Sequence, residues 1–219
     1  MQGLDFSTVL PYWPLLLKGA WWTAVLTASS GFLSLVFGLL LALGTIHGGR
    51  LVSLPLRMIS WVFMGTPLLL QLFLIYFGLV QIGIDVPAMV AGIIGLALHF
   101  AVYNADIFRA GIAAIDQGQT EGSRSLGFGI YQTQRYVVVP QAMRNTAPAV
   151  GSNLIALLKE SSIVSVIGIA ELVQASQLAI SETFRPFEFY IAAAAIYYLL
   201  NIAFEIVLGR IEKKVELTR

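Results

Sequence analysis

The sequence predicts an all-α integral membrane protein with about five transmembrane helices. Of its 219 residues, 58% are hydrophobic and 11% are charged, and the mean hydropathy is +0.81. A soluble domain carries about 25% charged residues because its surface must face water. Several long stretches of the chain contain no charged residue, and a helix that crosses a bilayer needs about 20 apolar residues. Most of the protein surface is therefore expected to face lipid.

Four charge-free stretches locate four of the helices along the chain. They cover residues 19–49, 58–84, 86–105 and 189–204. The last stretch reaches the length of a span only with the apolar residues beyond Glu205. A fifth apolar stretch, from Pro148 to Ile169, is interrupted by Lys159 and Glu160. We predict a single domain with spans at 19–46, 55–81, 87–112, 147–170 and 188–209, and with a polar loop at 114–145.

The basic residues predict the orientation of the chain in the membrane. Five spans place the two termini on opposite sides, and the loops of one side then carry only Lys18 and Arg185. Basic residues concentrate in cytoplasmic loops. We therefore expect the N-terminus outside and the C-terminus in the cytoplasm. The cytoplasmic bases would be Arg50, Arg57, Arg109, Arg124, Arg135, Arg144, Arg210, Lys213, Lys214 and Arg219.

The polar loop at 114–145 has the sequence signals of two short helices. Asp116 or Thr120 can cap the first helix, because their side-chain oxygens accept from free backbone N–H groups. Gly127 suits the left-handed position that ends a helix. The second helix is expected to run from Ile130 to about Val138 and to end before Pro140. Docking to a partner and lying flat on the membrane both fit this pattern.

Polar residues inside the apolar stretches form a second group of candidates. Pro67 removes one helical hydrogen bond and is expected to kink the second span. Thr66 and Gln71 can then donate to the freed carbonyl or to a ligand. Asp106 and Arg109, three residues apart, are expected to form a local pair. The two histidines, at 47 and 99, look isolated, and no residue cluster has the spacing of metal ligands.

Several sequence blocks resemble one family of membrane proteins. Glu121-Gly122-Ser123, Gly127 and Pro140 resemble the cytoplasmic signature of ABC importer permeases, which is Glu-Ala-Ala, three residues, Gly, and a later Pro. The surrounding blocks are similar to the polar amino acid uptake permeases and follow the same order. These blocks are Gly65-Thr66-Pro67-Leu68-Leu69 with Gln71, Gly118-Gln119, Pro140-Gln141-Ala142, Leu157-Leu158-Lys159-Glu160-Ser161-Ser162, Ser165-Val166-Ile167-Gly168 and Glu171-Leu172.

Two positions depart from the family pattern. Gly122 and Ser123 replace the two alanines; both are small, so they still allow a partner to approach closely. Met64 stands where the family usually has an arginine before Gly-Thr-Pro, so any role of that arginine in gating or in a salt bridge is absent or supplied elsewhere.

The resemblance implies a type I ABC importer permease fold with a cytoplasmic coupling helix, in the bacterial inner membrane. The chain would be the transmembrane subunit of an ATP-driven importer. Its partners would be a second permease copy or paralogue, cytoplasmic ATPase subunits that hold ATP and Mg, an extracytoplasmic amino-acid-binding protein, and membrane lipid. The ATPase-coupling residues would be Glu121, Gly122, Ser123, Leu126, Gly127 and Pro140.

The predicted span at 147–170 also carries polar residues at a depth where lipid does not tolerate them. Counted from Pro148, Lys159 lies about 16 Å along the helix, and a bare charge there costs several kcal/mol. Such residues must face protein or a water-lined cavity. An amino acid could meet both charges, and a structural ion pair with another span fits equally well. The substrate-path candidates are Thr66, Gln71, Asn153, Lys159, Glu160, Ser161 and Ser162.

Other function classes lack their sequence motifs. No G-x-x-x-x-G-K-[ST] phosphate loop, G-x-S-x-G, H-E-x-x-H or G-x-G-x-x-G occurs, so we expect no catalytic residue, no bound cofactor and no metal. The net charge of +1 argues against nucleic acid. An ion-coupled carrier or a channel without an ATPase remains the alternative. The transported amino acid and the choice between homodimer and heterodimer stay open.

Overall fold

The computed structural model describes residues 4–216. A 3₁₀ turn at Phe6–Tyr12 leads into the first of eight helices found in this part of the chain, and no strand occurs in it. Helices α3 and α6 contain π-helical turns, at Leu74–Gly78 and Gln134–Val138, and α6 ends in a 3₁₀ turn. The helices are α1 (Trp13–His47), α2 (Arg50–Gly65), α3 (Leu68–Gln81), α4 (Ala88–Ala113), α5 (Gln117–Ser125), α6 (Ile130–Ile167), α7 (Leu172–Thr183) and α8 (Pro186–Glu216).

Four helices are long and apolar enough to cross a membrane alone, namely α1, α4, α6 and α8. Helices α2 and α3 pass the same test only together, as a pair bent by 112° that has the shape of a broken span or of a re-entrant loop. Large hydrophobic side chains cover much of the outer surface, and Leu51 and Trp61 on α2 are 93% and 79% exposed. Such a surface requires lipid or another membrane protein around it. The predicted all-α membrane fold is confirmed.

The centre of the bundle is the contact between α1 and α4. Gly38 makes this contact close, because a Cβ there would lie 2.8 Å from the Asn104 Cβ and 3.0 Å from the Ala101 carbonyl oxygen. One apolar core joins α1, α3, α4 and α6, and a second joins the N-terminal turn, α1, α7 and α8. The first includes Leu26, Leu72, Leu96, Phe100 and Leu157, and the second includes Val9, Leu16, Leu172, Phe189 and Ile196.

The predicted second span, 55–81, is two helices rather than one kinked helix. Thr66 has an extended backbone with φ −121° and ψ 143°, and α3 starts directly after Pro67. A proline disfavours the helical region for the residue before it. The break therefore begins at Thr66, and the chain turns far more sharply than the kink that the sequence predicted.

Two further differences concern the second half of the chain. The expectation that Pro140 ends a short helix is wrong, because α6 runs from Ile130 through Pro140 to Ile167. The Val139 N–H bonds to the Gln134 carbonyl, so a widened turn precedes the proline and leaves room for its ring. The polar loop is thus helical from residue 130 onward. Helix α7, between the fourth and fifth predicted spans, was not predicted.

Candidate functional site

Helix α5 is a short rigid helix with a defined start and end. The Asp116 carboxylate accepts from the Gly118 N–H at 2.7 Å, so Asp116 is the N-cap. At the other end Gly127 has φ +85°. The Gly127 N–H bonds to the Arg124 carbonyl at 2.9 Å and the Phe128 N–H to the Ser123 carbonyl at 3.1 Å. This pair of bonds is the Schellman motif, which needs a left-handed residue at the position of Gly127.

The coupling candidates on α5 differ in where they face. Glu121, Gly122 and Leu126 are exposed, and a Cβ at Gly122 would meet nothing within 4 Å. Ser123 is buried: its Oγ lies 2.9 Å from Thr133 Oγ1, and it donates to the Thr120 carbonyl at 2.8 Å. Ser123 thus ties α5 to the start of α6, while the other three residues form an open surface.

Aromatic residues continue this surface from α5 onto α6. Leu126 and Tyr131 are 81% and 72% exposed. The rings of Phe128 and Tyr136 lie 6.5 Å apart, and the Arg135 guanidinium lies 5.7 Å from the centre of the Tyr136 ring. We call the exposed residues Glu121, Gly122, Leu126, Tyr131 and Tyr136 the α5 surface. An exposed apolar patch with charged neighbours is typical of a protein interaction site. Pro140, the sixth coupling candidate, is exposed on α6.

The break between α2 and α3 is closed by one buried side chain. Because Pro67 has no N–H, the Phe63 carbonyl four residues earlier has no helical partner. The Gln71 side-chain amide fills this place, donating to the Phe63 carbonyl at 2.8 Å, to the Thr66 carbonyl at 3.0 Å and to Thr66 Oγ1 at 2.8 Å. Gln71 is 6% exposed. The sequence left two uses open for Gln71, donation to the freed carbonyl or to a ligand. In the structure its side-chain amide donates to the freed Phe63 carbonyl.

His99 on α4 holds the other end of the Gln71 side chain. Its Nδ1 lies 3.0 Å from Gln71 Oε1, and the histidine is buried beside the rings of Phe100 and Tyr103. The expectation that His99 is isolated is therefore wrong. A histidine within the charge-free stretch 86–105 needs a hydrogen-bond partner once it is buried, and that requirement could have pointed to Gln71.

A second polar connection crosses the bundle from α6 to α1. Asn153 donates to Asn104 Oδ1 at 2.8 Å, and Asn104 donates to Ser34 Oγ at 3.0 Å. Asn104 and Ser34 are fully buried. Asn153, a predicted substrate-path residue, thus holds three helices together through its side chain. The sequence did not indicate Asn104 or Ser34 as functional or structural candidates, because a single asparagine or serine in an apolar helix matches no motif.

The remaining polar residues of α6 separate into two groups. Lys159 is exposed and Glu160 is partly exposed, and neither forms an ion pair with another side chain among residues 4–213. Ser161 is fully buried, and its hydroxyl donates to the Leu158 carbonyl at 2.7 Å. Ser162 donates to the Lys159 carbonyl at 2.9 Å. The two charged side chains therefore lack a partner within the described chain, whereas the two hydroxyls bond to their own helix.

Glu171 is a buried carboxylate with a structural role that the sequence did not reveal. It caps α7 by accepting from the Val173 and Gln174 N–H groups, both at 2.9 Å, and it accepts from the Tyr197 hydroxyl at 2.8 Å. The neighbouring Leu172 N–H donates to Thr23 Oγ1 at 3.2 Å. These bonds join α1, α7 and α8. The sequence signal that could have indicated this cap is a glutamate directly before the helical pattern of residues 172–183.

The Asp106–Arg109 pair predicted on α4 is present as a salt bridge. Among the side chains of residues 4–213, no group of three or more histidine, cysteine, aspartate or glutamate residues is placed to hold a metal ion.

The described residues form a bundle of four long apolar helices and one sharply bent helix pair, with the short exposed helix α5 between α4 and α6. Residues 34–217 match the family model described as the binding-protein-dependent transport system inner membrane component. The chain belongs to this family. It is therefore the transmembrane component of an importer in the inner membrane, not an enzyme, and the alternative of a carrier without an ATPase gains no support.

Relatives cover nearly the whole chain. The arginine transport system permease protein ArtQ of Bacillus subtilis is 36% identical over 216 residues, 98% of this chain and 99% of that protein. The probable amino-acid ABC transporter permease protein PatM of Vibrio harveyi is 38% identical over 207 residues, 90% of either chain. A crystal structure of an amino acid ABC transporter with histidines superposes with a TM-score of 0.88 at 41% identity, covering 97% of this chain and 100% of that one. The resemblance to ABC importer permeases is confirmed.

Proposed function

We propose that this chain forms the pathway for an amino acid and is driven by ATP hydrolysis on separate subunits. The relatives that match nearly its full length are named as amino-acid permeases, which supports this substrate class. A second permease copy or paralogue completes the pathway, and an extracytoplasmic binding protein delivers the amino acid. ATP and Mg are held by the partner ATPase. Membrane lipid surrounds the assembly.

In this proposal the α5 surface docks into the ATPase. The single observation that carries it is that a helix fixed at both ends, by Asp116 and by Gly127, presents Glu121 and Leu126 to the outside. Ser123 and Thr133 hold this helix against α6, so movement of the ATPase passes to a spanning helix as a rigid-body displacement. The excess of bases in the loops on the α5 side supports a cytoplasmic location for α5 and an external N-terminus.

The proposed substrate path runs along the open face of α6. Lys159 and Glu160 form no ion pair among the side chains of residues 4–213, so an amino acid with both charges, or the second permease copy, is a suitable partner. Thr66, Gln71, Asn153 and Ser161 have side-chain bonds within the bundle. Gln71 and Asn153 support the path by joining helices to one another, whereas the hydroxyls of Thr66, Ser161 and Ser162 each donate to a backbone carbonyl one turn earlier.

Charge reversal on α5 tests the docking step. We expect Glu121→Lys to leave membrane insertion unchanged and to abolish ATPase binding and uptake in proteoliposomes. Asp85→Lys is the matched control, because it makes the same change in charge on an exposed residue of the loop between α3 and α4, away from α5. If Glu121→Lys retains full ATPase binding and uptake, the docking role of α5 is wrong.

Alanine variants of Lys159 and Glu160 test the substrate path. Uptake is measured with a panel of acidic, basic and neutral amino acids, in the presence of the cognate ATPase and binding protein. Changed selectivity with an intact assembly supports contact with the substrate. Loss of the two-permease assembly instead identifies a structural pair across the subunit interface. Transport of a substrate outside the amino acids would contradict the proposed substrate class.

A further inference from the structure

The turn between α7 and α8 contains a strained residue. Phe184 has φ +56° and ψ +33°, and in the part of the chain that the structure describes it is the only non-glycine residue with a positive φ. It ends α7, since its N–H bonds to the Ile180 carbonyl at 2.8 Å. A helix that ends in this left-handed conformation usually has glycine there, because a Cβ is crowded by the following carbonyl. A bulky aromatic residue at such a position is an outlier.

The Phe184 side chain gains no packing that would offset this strain. It is 84% exposed, so its ring contacts little of the chain. The turn itself is fixed by polar contacts on both sides. The Tyr12 hydroxyl donates to Glu182 at 2.8 Å, and Arg185 donates to Glu188 at 3.2 Å. The turn is therefore a firm support that holds an aromatic ring away from the protein.

Contacts between α1 and α7 show how far Phe184 lies from the middle of the membrane. An added Cβ at Gly19 would lie 2.8 Å from the Ala175 Cβ. Tyr12 and Glu182, which share a hydrogen bond, are each seven residues further out, so the two helix axes stay nearly parallel. Phe184 is nine residues beyond Ala175 and therefore lies about 13 Å outside the level of Gly19.

The level of Phe184 is outside the lipid. The charge-free stretch of α1 begins at Gly19, directly after Lys18, and a charge inside the hydrocarbon is costly, so the hydrocarbon core begins no further out than Gly19. The core accounts for about 30 Å of a bilayer of about 40–45 Å, which leaves about 5–8 Å for each headgroup layer. The ring of Phe184 therefore lies in water, on the side of the N-terminus, and lipid does not cover it.

Acidic side chains border the exposed ring. Glu182 lies two residues before Phe184 and is exposed, and so is Asp5, whose N–H donates to the Glu188 carboxylate at 3.2 Å. Arg185 pairs with the buried Glu188, so the charges of Asp5 and Glu182 leave this surface net negative. A soluble protein with an apolar recess and basic residues around it would complement such a surface.

We propose that Phe184 is a docking residue for the extracytoplasmic amino-acid-binding protein, with its ring in an apolar recess that basic residues surround. This inference rests on the proposed function, which supplies the binding protein and the external side of the N-terminus. A second copy of the chain is a poorer partner, because two acidic surfaces repel each other. The fixed turn favours docking, since a ring that is already held in place loses little conformational freedom on binding.

Phe184→Gly separates a docking role from a structural one, because the two roles predict opposite effects. Glycine relieves the strain, so the thermal unfolding temperature of the chain should rise by about 2–4 °C. The affinity of the transporter assembly in nanodiscs for the ligand-loaded cognate binding protein should fall at least about tenfold, the loss expected for an interface anchor. Phe184→Trp should retain the affinity. Phe32→Ala is the control, because it removes a ring that is 67% exposed on α1, inside the membrane.

Unchanged affinity in Phe184→Gly, or lower thermal stability together with lower affinity, would overturn the docking role of Phe184 and leave the proposed function standing. If the unsubstituted assembly does not bind the binding protein, the proposed function fails and this inference fails with it.

Site-specific labelling tests which molecule covers the ring. The chain has no cysteine, so Phe184→Cys introduces a single thiol into it. We expect a membrane-impermeant maleimide to label this thiol from outside in proteoliposomes, and the binding protein to block the labelling. Phe32→Cys should stay unlabelled, because it lies in lipid. Lack of labelling at 184 without the binding protein, or a disulfide between two copies at 184, would overturn the proposal. Labelling only from the vesicle interior would contradict the proposed orientation and the docking role with it.

Discussion

Pro67 and Pro140 lie in helical sequence, yet the chain turns by 112° at the first and continues as a helix through the second. At Pro67 the preceding residue, Thr66, is extended, and the freed Phe63 carbonyl takes its hydrogen bond from a side chain. At Pro140 the preceding turn is π-helical, and the Val139 N–H reaches the Gln134 carbonyl. One proline is accommodated by breaking the helix and the other by widening it.

The difference shows that a proline fixes only which backbone bond is lost. The surrounding residues decide how the freed carbonyl is satisfied. Gln71 is placed to satisfy it because α3 folds back toward α4, where His99 holds the glutamine in position. At Pro140 the backbone rearranges instead, with the Val139 N–H on the Gln134 carbonyl, and the Gln141 side-chain amide donates to the Val137 carbonyl at 2.9 Å. Substitutions at Gln71, Pro67 and Pro140 test this account, and a substitution at Gly127 tests the end of α5; the expected effects run from the largest to the smallest.

Gln71→Leu should have the largest effect. It leaves the Phe63 and Thr66 carbonyls without their donor and His99 without its partner, and each buried polar group that loses its bond costs about 1–3 kcal/mol. We expect a loss of at least about 2 kcal/mol of unfolding free energy, measured by SDS titration in mixed micelles. Gln81→Leu is the control, because Gln81 is exposed at the end of the same helix. Equal losses for the two variants would contradict the role of Gln71 at the break.

The coupling between Pro67 and Gln71 gives a smaller and more specific effect. In a Pro67→Ala background, the new backbone N–H can bond to the Phe63 carbonyl, so Gln71→Leu should cost about 1 kcal/mol less than in the natural chain. The measurement is a double-mutant cycle by the same SDS titration. Strict additivity of the two substitutions would mean that Gln71 does not compensate for the missing N–H of the proline.

Gly127→Ala should cost about 1 kcal/mol, because an alanine is strained at φ +85°. Gly122→Ala is the matched change within α5, where the space is open and the helix gains up to about 1 kcal/mol. Thermal unfolding and ATPase pull-down are measured for both variants. If Gly122→Ala lowers the thermal stability as much as Gly127→Ala does, then Gly122 is not simply an open position inside α5, and the different roles assigned to the two glycines are wrong.

Pro140→Ala should have the smallest effect, within about 0.5 kcal/mol, as for most substitutions at exposed positions. The new N–H has a nearby carbonyl, and the widened turn can return to a regular helix. Hydrogen exchange of residues 134–140 shows whether the turn has tightened. A large loss of stability, comparable with that of Gln71→Leu, would show that the two prolines are accommodated in the same way.

The sequence predicted the helical membrane fold and the local signals of α5 well, because these depend on composition and on neighbouring residues. Asp116 as a cap and Gly127 as a stop needed only the backbone chemistry of a few residues. The sequence failed where a partner came from a distant segment. His99 looked isolated because Gln71 lies 28 positions earlier, and Asn153 looked available to a ligand because Asn104 lies on another helix.

The amino-acid sequence by itself determined that lipid is the solvent and which short helix ends at a glycine. The tertiary structure decided how polar side chains inside the bundle are satisfied. In lipid no water is available to bond to a free carbonyl or amide. Each buried polar residue must therefore find a partner on whichever helix packs beside it, and that neighbour depends on the fold of the whole chain.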